Sequence, residues 1–251
     1  VLFFSCDIKR PNIILIIADD MSTLENAQTP RIDEIASKGI KFTNAYSQYA
    51  NCAPSRQSFL TGLSPFRGIR QGRIDEYLKK NNHLSMPMFF KVNNYKTISL
   101  GKVYHDAKQD KDAWDFLYDI SNEENNYYNW ESFASKKNKE IKDSDLRPAI
   151  ENTALPLTNY NDYNIAEKAI EFLSELSSDQ FFMTIGFRKP HLPFAAPKKF
   201  WEIYDNVEFQ KSEFDYATVN GDSVYTCGLN LPVINLSQLL INQKITEIRE
   251  Y

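Results

Sequence analysis

Apolar residues run unbroken through "NIILIIADD" (12–20) and stop at two aspartates. Their length and β-branched content predict a strand buried on both faces, as in a parallel sheet. The period then changes. In "TPRIDEIASKGIKFTNAY" the apolar Ile32, Ile35 and Ala36 keep helical spacing, with Thr29 placed as N-cap, Pro30 at the first helical position and Gly39 at the stop. Further on, "SMPMFFKVNNYKTISLGKVYH" reads as helix, turn, strand "KTISL" and a loop beginning at Gly101. "YNIAEKAIEFLSELSS" has the stripe of an amphipathic helix, and "QFFMTIGF" that of a buried strand opening into a polar loop, "RKPHLPFAAP". This strand–loop–helix alternation predicts an α/β fold, a mostly parallel sheet covered by helices. In such sheets ligands collect at the carboxyl ends of the strands. Residues 108 to 155 break the rhythm: polar, charged and rich in Asn, they read as an excursion over the surface. The stretch 206–251 closes in "QKITEIREY", which looks like a helix cut short.

Composition changes this picture only at its edges. The 251 residues, 42% hydrophobic and 25% charged, can bury a substantial core. A formal net charge of -4 offers no basic face, which argues against a nucleic-acid partner. The 17 Phe and 14 Tyr supply an aromatic core, with carbohydrate contact as a second use. Cys6, Cys52 and Cys227 show no CxxC spacing, so neither a zinc site nor a disulfide framework is indicated. "VLFFSC" resembles the end of a lipoprotein signal, making residues 1–9 a signal remnant and Cys6 a point of lipid attachment; a plain secretory remnant or a first strand are the alternatives. An exported protein is expected, whether periplasmic, anchored in the cell envelope or secreted. No later run is long and apolar enough to span a membrane.

The polar residues that carry chemistry sit at strand ends. Asp19 and Asp20 close the first strand, Lys102 and His105 follow the second, and Lys189 and His191 follow the third. Cys52 and Arg56, in "NCAPSRQSFLTG" (51–62), open a helix after a polar loop. A doubly wound sheet would bring these distant segments together. Adjacent carboxylates repel unless a cation lies between them, and hard oxygen ligands of this kind suit Ca²⁺ or Mg²⁺. The lysines, Arg56 and the histidines add positive charge and proton transfer, together a pocket for a tetrahedral oxyanion.

"CAPSR" with its downstream "LTG", the strand ending "ADD", then "GKVYH" and "KPHLPF" together resemble the type I sulfatase family, in the family's own order. The Lys-x-x-His spacing at 102–105 and "RKPHLPF" are most similar to its iduronate-2-sulfatase branch. The resemblance implies an alkaline-phosphatase-like fold and hydrolysis of sulfate esters, on a sulfated saccharide. It implies that Cys52 is oxidised to Cα-formylglycine by a formylglycine-generating enzyme that reads Pro54 and Arg56. The hydrated aldehyde then supplies the nucleophile and an exit for sulfate. Asp19, Asp20 and the modified Cys52 would hold the metal, and Arg56 would stabilise the hydrate. Lys102 would contact sulfate, His105 would act as base for its release, and Lys189 and His191 would flank the leaving oxygen. His83 matches no motif and reads as a surface or helix-start residue. Arg67, Arg70 and Arg73 could reach an anionic sugar or lie in a solvated loop. The family's later metal ligands, in an "SDHG"-like segment, have no counterpart; Asp222 in "NGDSVY" lacks the following His or Asn. Residues 10–251 therefore look like a partial, N-terminal catalytic domain. Two other readings stay open: a non-catalytic remnant that binds sulfated glycan, and a phosphomonoester or phosphonate hydrolase of the same superfamily.

Overall fold

The computed structural model describes residues 10–21, 27–65, 74–106, 109–118, 133–141, 146–176 and 180–207. Cys6, Arg67, Arg70, Arg73, Asp222, Cys227 and the segment 243–251 lie outside them. In chain order the elements are β1 (Ile13–Asp19), α1 (Pro30–Lys38), α2 (Cys52–Thr61), α3 (Ile74–Asn81), α4 (Met86–Val92), β2 (Lys96–Gly101), β3 (Phe116–Tyr118), α5 (Lys136–Lys139), β4 (Ile150–Thr153), α6 (Asn161–Glu175), β5 (Phe181–Pro190), β6 (Phe194–Pro197) and α7 (Lys198–Trp201).

Four strands form one parallel sheet in the order β1-β5-β2-β3. The last long strand in sequence thus lies between the first two. Side chains of β5 alternate between the faces, as the period of two requires. Phe181, Met183 and Ile185 meet Ile98 and Leu100 of β2 beneath Ile165, Ala169 and Phe172 of α6. On the opposite face Phe182 packs with Leu60, Tyr95, Val103 and Trp114, and Phe90 of α4 stacks on it at 4.4 Å. Helices therefore cover both faces, as the alternation of elements predicts.

Three expectations are corrected. First, β1 is not buried on both faces. Ile13, Leu15 and Ile17 pack inward, but Ile14 and Ile16 are 45% and 56% exposed. The reason is position: β1 is an edge strand of this sheet, and α6 packs over β5 and β2. Second, the loop "RKPHLPFAAP" is partly strand, since β5 runs on to Pro190 and β6 pairs in parallel with β4. Third, the 108–155 excursion does not simply lie on the surface. It contributes β3 to the main sheet and β4 to the small one, and it buries Ala113, Trp114, Phe133 and Ala134. The helix α1 forms where expected, but none of its residues is buried, and the Thr29 hydroxyl bonds Asp33 instead of capping a backbone N–H.

The helix that begins at Cys52 is well specified. Asn51 caps it by accepting from the Ala53 N–H at 3.2 Å, and Gly62 ends it in the left-handed region at φ 71°.

Candidate active site

Because every strand of the sheet runs the same way, Asp19, Lys102 and Lys189 emerge on one side of it. β1 ends at Asp19, Lys102 follows the last residue of β2, and Lys189 lies in the last turn of chain of β5. Two glycines let the central strands approach there. A Cβ on Gly186 would lie 1.9 Å from the Lys102 carbonyl oxygen, and one on Gly101 would lie 2.3 Å from the Gly186 carbonyl oxygen. Side chains at either position are excluded by backbone.

Asp19 is the centre of the cluster, 3% exposed. Arg56 donates to its Oδ1 from Nε at 3.2 Å and from Nη2 at 2.6 Å, while Lys102 Nζ donates to Oδ2. The same guanidinium donates through Nη1 to the carbonyls of Lys102 and Val103. One arginine on α2 therefore ties the ends of β1 and β2 together. Burial opposes the charge on Asp19, but Arg56 and Lys102 outweigh it and hold the carboxyl below its ordinary value. Cys52 lies four residues before Arg56, hence on the same face of α2, in the first turn, where the helix dipole favours negative charge.

Asp20 adopts φ 59° and stands beside His191, with Oδ2 and Nε2 3.6 Å apart. The His191 Nδ1 is 2.6 Å from the Leu192 carbonyl oxygen, so Nδ1 carries a hydrogen and donates it. Nε2 then faces a carboxylate, an arrangement that is favourable when Nε2 is protonated or a cation lies between them. Asp19, Asp20 and His191 each offer a ligand atom within 4.8 Å of the others. These three donors lie within range of one divalent cation and are only part of the six to eight ligands a calcium ion takes. His191, assigned from sequence to the leaving oxygen, is thus also within reach of the two carboxylates.

His105 lies near enough to Lys102, Asp19, Arg56 and His191 to feel each of them. Burial foremost, then the positive charge of Lys102, lower it to about 4. It is a neutral imidazole at physiological pH, which is the state a base requires. Lys189 donates from Nζ to the carbonyls of His191 (3.2 Å) and Pro193. Burial lowers its pKa to about 8, against the pull of Asp162, which raises it. Asp162, in the first turn of α6, accepts from two backbone N–H groups of this loop. No motif marked it; the available signal was an acidic residue opening the helix that precedes the third strand.

His83 sits apart, between α3 and α4, with Nε2 2.7 Å from the Thr61 carbonyl oxygen. Half-buried just ahead of α4, it braces the end of α2 and is not part of the site.

Known proteins resemble this chain over most of its length. A family model described as Sulfatase matches residues 11–231. Iduronate 2-sulfatase of Mus musculus is 34% identical over 209 residues, spanning 77% of this chain but 37% of that protein. A sulfatase of Formosa agariphila is 24% identical over 256 residues, 94% of this chain and 50% of its own length. Among solved structures, the phosphonate monoester hydrolase of Agrobacterium radiobacter superposes with a TM-score of 0.60 at 18% identity, covering 83% of this chain and 46% of that one. That likeness concerns the fold, which is the alkaline-phosphatase-like parallel sheet between helices. This chain spans half or less of the length of these relatives.

Proposed function

Because this chain belongs to the sulfatase family, we propose that it carries the nucleophile-bearing part of a sulfate-ester hydrolase acting on a sulfated saccharide. The observation that supports this best is the convergence of Asp19, Arg56, Lys102, His105 and His191 at the ends of β1 and β2, with Arg56 carried by the helix that begins at Cys52. Cys52 is in the proposal the precursor of a Cα-formylglycine made by a formylglycine-generating enzyme. Asp19 and Asp20 would hold a divalent ion, Ca²⁺ or Mg²⁺, together with the modified Cys52. Such an ion supplies Lewis acidity toward the sulfate and eases deprotonation of the attacking hydroxyl.

The chain's own residues supply the rest. Arg56, fixed by four hydrogen bonds, orients the Cys52 turn and keeps a positive charge beside it. Lys102 brings a second charge to the sulfate oxygens, where negative charge grows in the transition state. His105, neutral above about pH 4, accepts a proton when sulfate is expelled. His191 holds its Nδ1 hydrogen on the Leu192 carbonyl; as an imidazolium it would pass its Nε2 proton to the leaving oxygen and be left neutral with the hydrogen on Nδ1. Lys189 adds charge beside that oxygen. The reading includes export of the protein, with Cys6 as a lipid attachment point; among the described residues no helix is long and apolar enough to cross a membrane.

The test is chemical. Peptide mass spectrometry of protein from a host with the modifying enzyme should show the 51–62 peptide lighter by the difference between a CH₂SH and a CHO side chain. An aldehyde-specific hydrazide should label the same peptide. Cys52→Ala should lose the label and all turnover of an aryl sulfate while keeping its unfolding midpoint. A modified parent that turned over a phosphonate ester and no sulfate ester would move the assignment to phosphonate chemistry. An unmodified Cys52 with full turnover would defeat it.

A further inference from the structure

Near the site β5 breaks its pairing on both sides. Against β1 the register steps from Ala18 opposite Phe187 to Asp19 opposite Pro190, so Arg188 and Lys189 form a bulge. Against β2 the register ends with Gly101 opposite Gly186. Two consecutive N–H groups, one belonging to the buried Arg188, would otherwise have no place in either ladder. Asp162 receives both. Its Oδ1 accepts from the Arg188 N–H at 2.9 Å and its Oδ2 from the Lys189 N–H at 2.8 Å. The carboxylate is itself anchored, because Ile165, Ala169 and Phe172 of the same helix pack on β2 and β5.

We propose that Asp162 is a positioning residue for the reaction: by holding the Arg188–Lys189 peptide in its bulge, it sets where Lys189 stands against the substrate. The assignment rests on the sulfate-ester reading above and extends it by one residue. Bulges beside active sites re-aim side chains, and this one turns the chain from the sheet into the Lys189–His191 loop. Within the loop the Lys189 ammonium donates to the carbonyls of His191 and Pro193, so its position follows that of the peptide Asp162 holds. Asn at position 162 has nearly the same shape, but it must turn an NH₂ toward one of the two N–H groups. The peptide then moves. Misplacing a binding group by about 1 Å can cost about 10²-fold in rate.

The experiment is a double-mutant cycle on the full-length, aldehyde-bearing protein, with 4-nitrophenyl sulfate as probe. D162N alone should lower kcat/KM by about 10²-fold. Combined with Lys189→Ala, it should add no more than about threefold to the loss from K189A, because both changes remove one arrangement. Losses that multiply would overturn the assignment, as would a D162N enzyme with parental kcat/KM. Amide hydrogen exchange gives a readout that needs no turnover. In D162N, the Arg188 and Lys189 amides should exchange faster while Phe182–Ile185 keep their protection. Unchanged protection at 188 and 189 sinks the Asp162 assignment alone. A parent without sulfate-ester turnover sinks the functional reading alone, and the exchange result still decides whether Asp162 holds this peptide.

Discussion

Lys189 keeps its ammonium only up to about pH 8, because burial disfavours the charged form more than Asp162 favours it. Below that pH the residue can offset charge on a leaving oxygen; above it the residue becomes a neutral amine. The kcat/KM profile of the full-length enzyme should therefore fall as pH rises through about 8. Lys189→Arg, which stays charged, should move that fall to higher pH, whatever it does to the maximum. A profile unchanged by the substitution would remove Lys189 from the free enzyme's ionisations. At this scale much of the site was legible in the chain. Two aspartates ending an apolar run, and Lys and His just after two others, name residues that the structure brings together. Their partners were not legible. That Arg56 would share Asp19 with Lys102 depends on which strands become neighbours, and no spacing in the chain encodes that. Asp162 was invisible for a related reason: its ligands are backbone N–H groups, which every sequence has.

Elements with a full period were readable, and short ones were not. β1, β2, β5 and α6 run long enough to display alternation or a helical stripe. Three residues of β3, or four of β4 and β6, display neither, so their segments read as loop or excursion. Exposure of one face of β1 was equally hidden, since an apolar strand looks the same at an edge and in a middle. The contact between β2 and β5 is tightly constrained at its glycines. A Cβ on Gly186 would strike the backbone around Lys102, with no flexible side chain to yield. Gly186→Ala is expected to cost about 3 kcal/mol or more, as overpacking against rigid structure does. The drop should appear in the urea midpoint at an unchanged slope. A cost within a few tenths of the parent would mean that the strands separate readily there, and that Lys102 is less firmly placed than its hydrogen bonds to Asp19 and Gly186 imply.

Seen whole, the described part of the molecule is asymmetric. One face of the sheet is covered from α2 and α4, and the other is covered by α6 only over β2 and β5. Ile14 and Ile16 of β1, with Ile32 and Ile35 of α1, are left exposed. Open edge strands and apolar faces promote association. The 251-residue chain should self-associate in sedimentation velocity at tens of micromolar, and Ile16→Lys should reduce that association without lowering the unfolding midpoint. A monodisperse parent would show that this face is covered by residues outside the described set. The strand order has a further consequence, and it concerns time. β5 is made long after β1 and β2, yet in the sheet it lies between them, and Arg56 bonds both strand ends where β5 brings them together. On a ribosome adding about 5–20 residues per second, the interval between Cys52 and β5 is on the order of ten seconds. Throughout it the two strand ends that Arg56 bonds in the folded sheet are not yet held by β5, so "CAPSR" lacks that anchor. An enzyme that must read this pentapeptide and oxidise its cysteine would have its opportunity then, before the sheet closes over the segment.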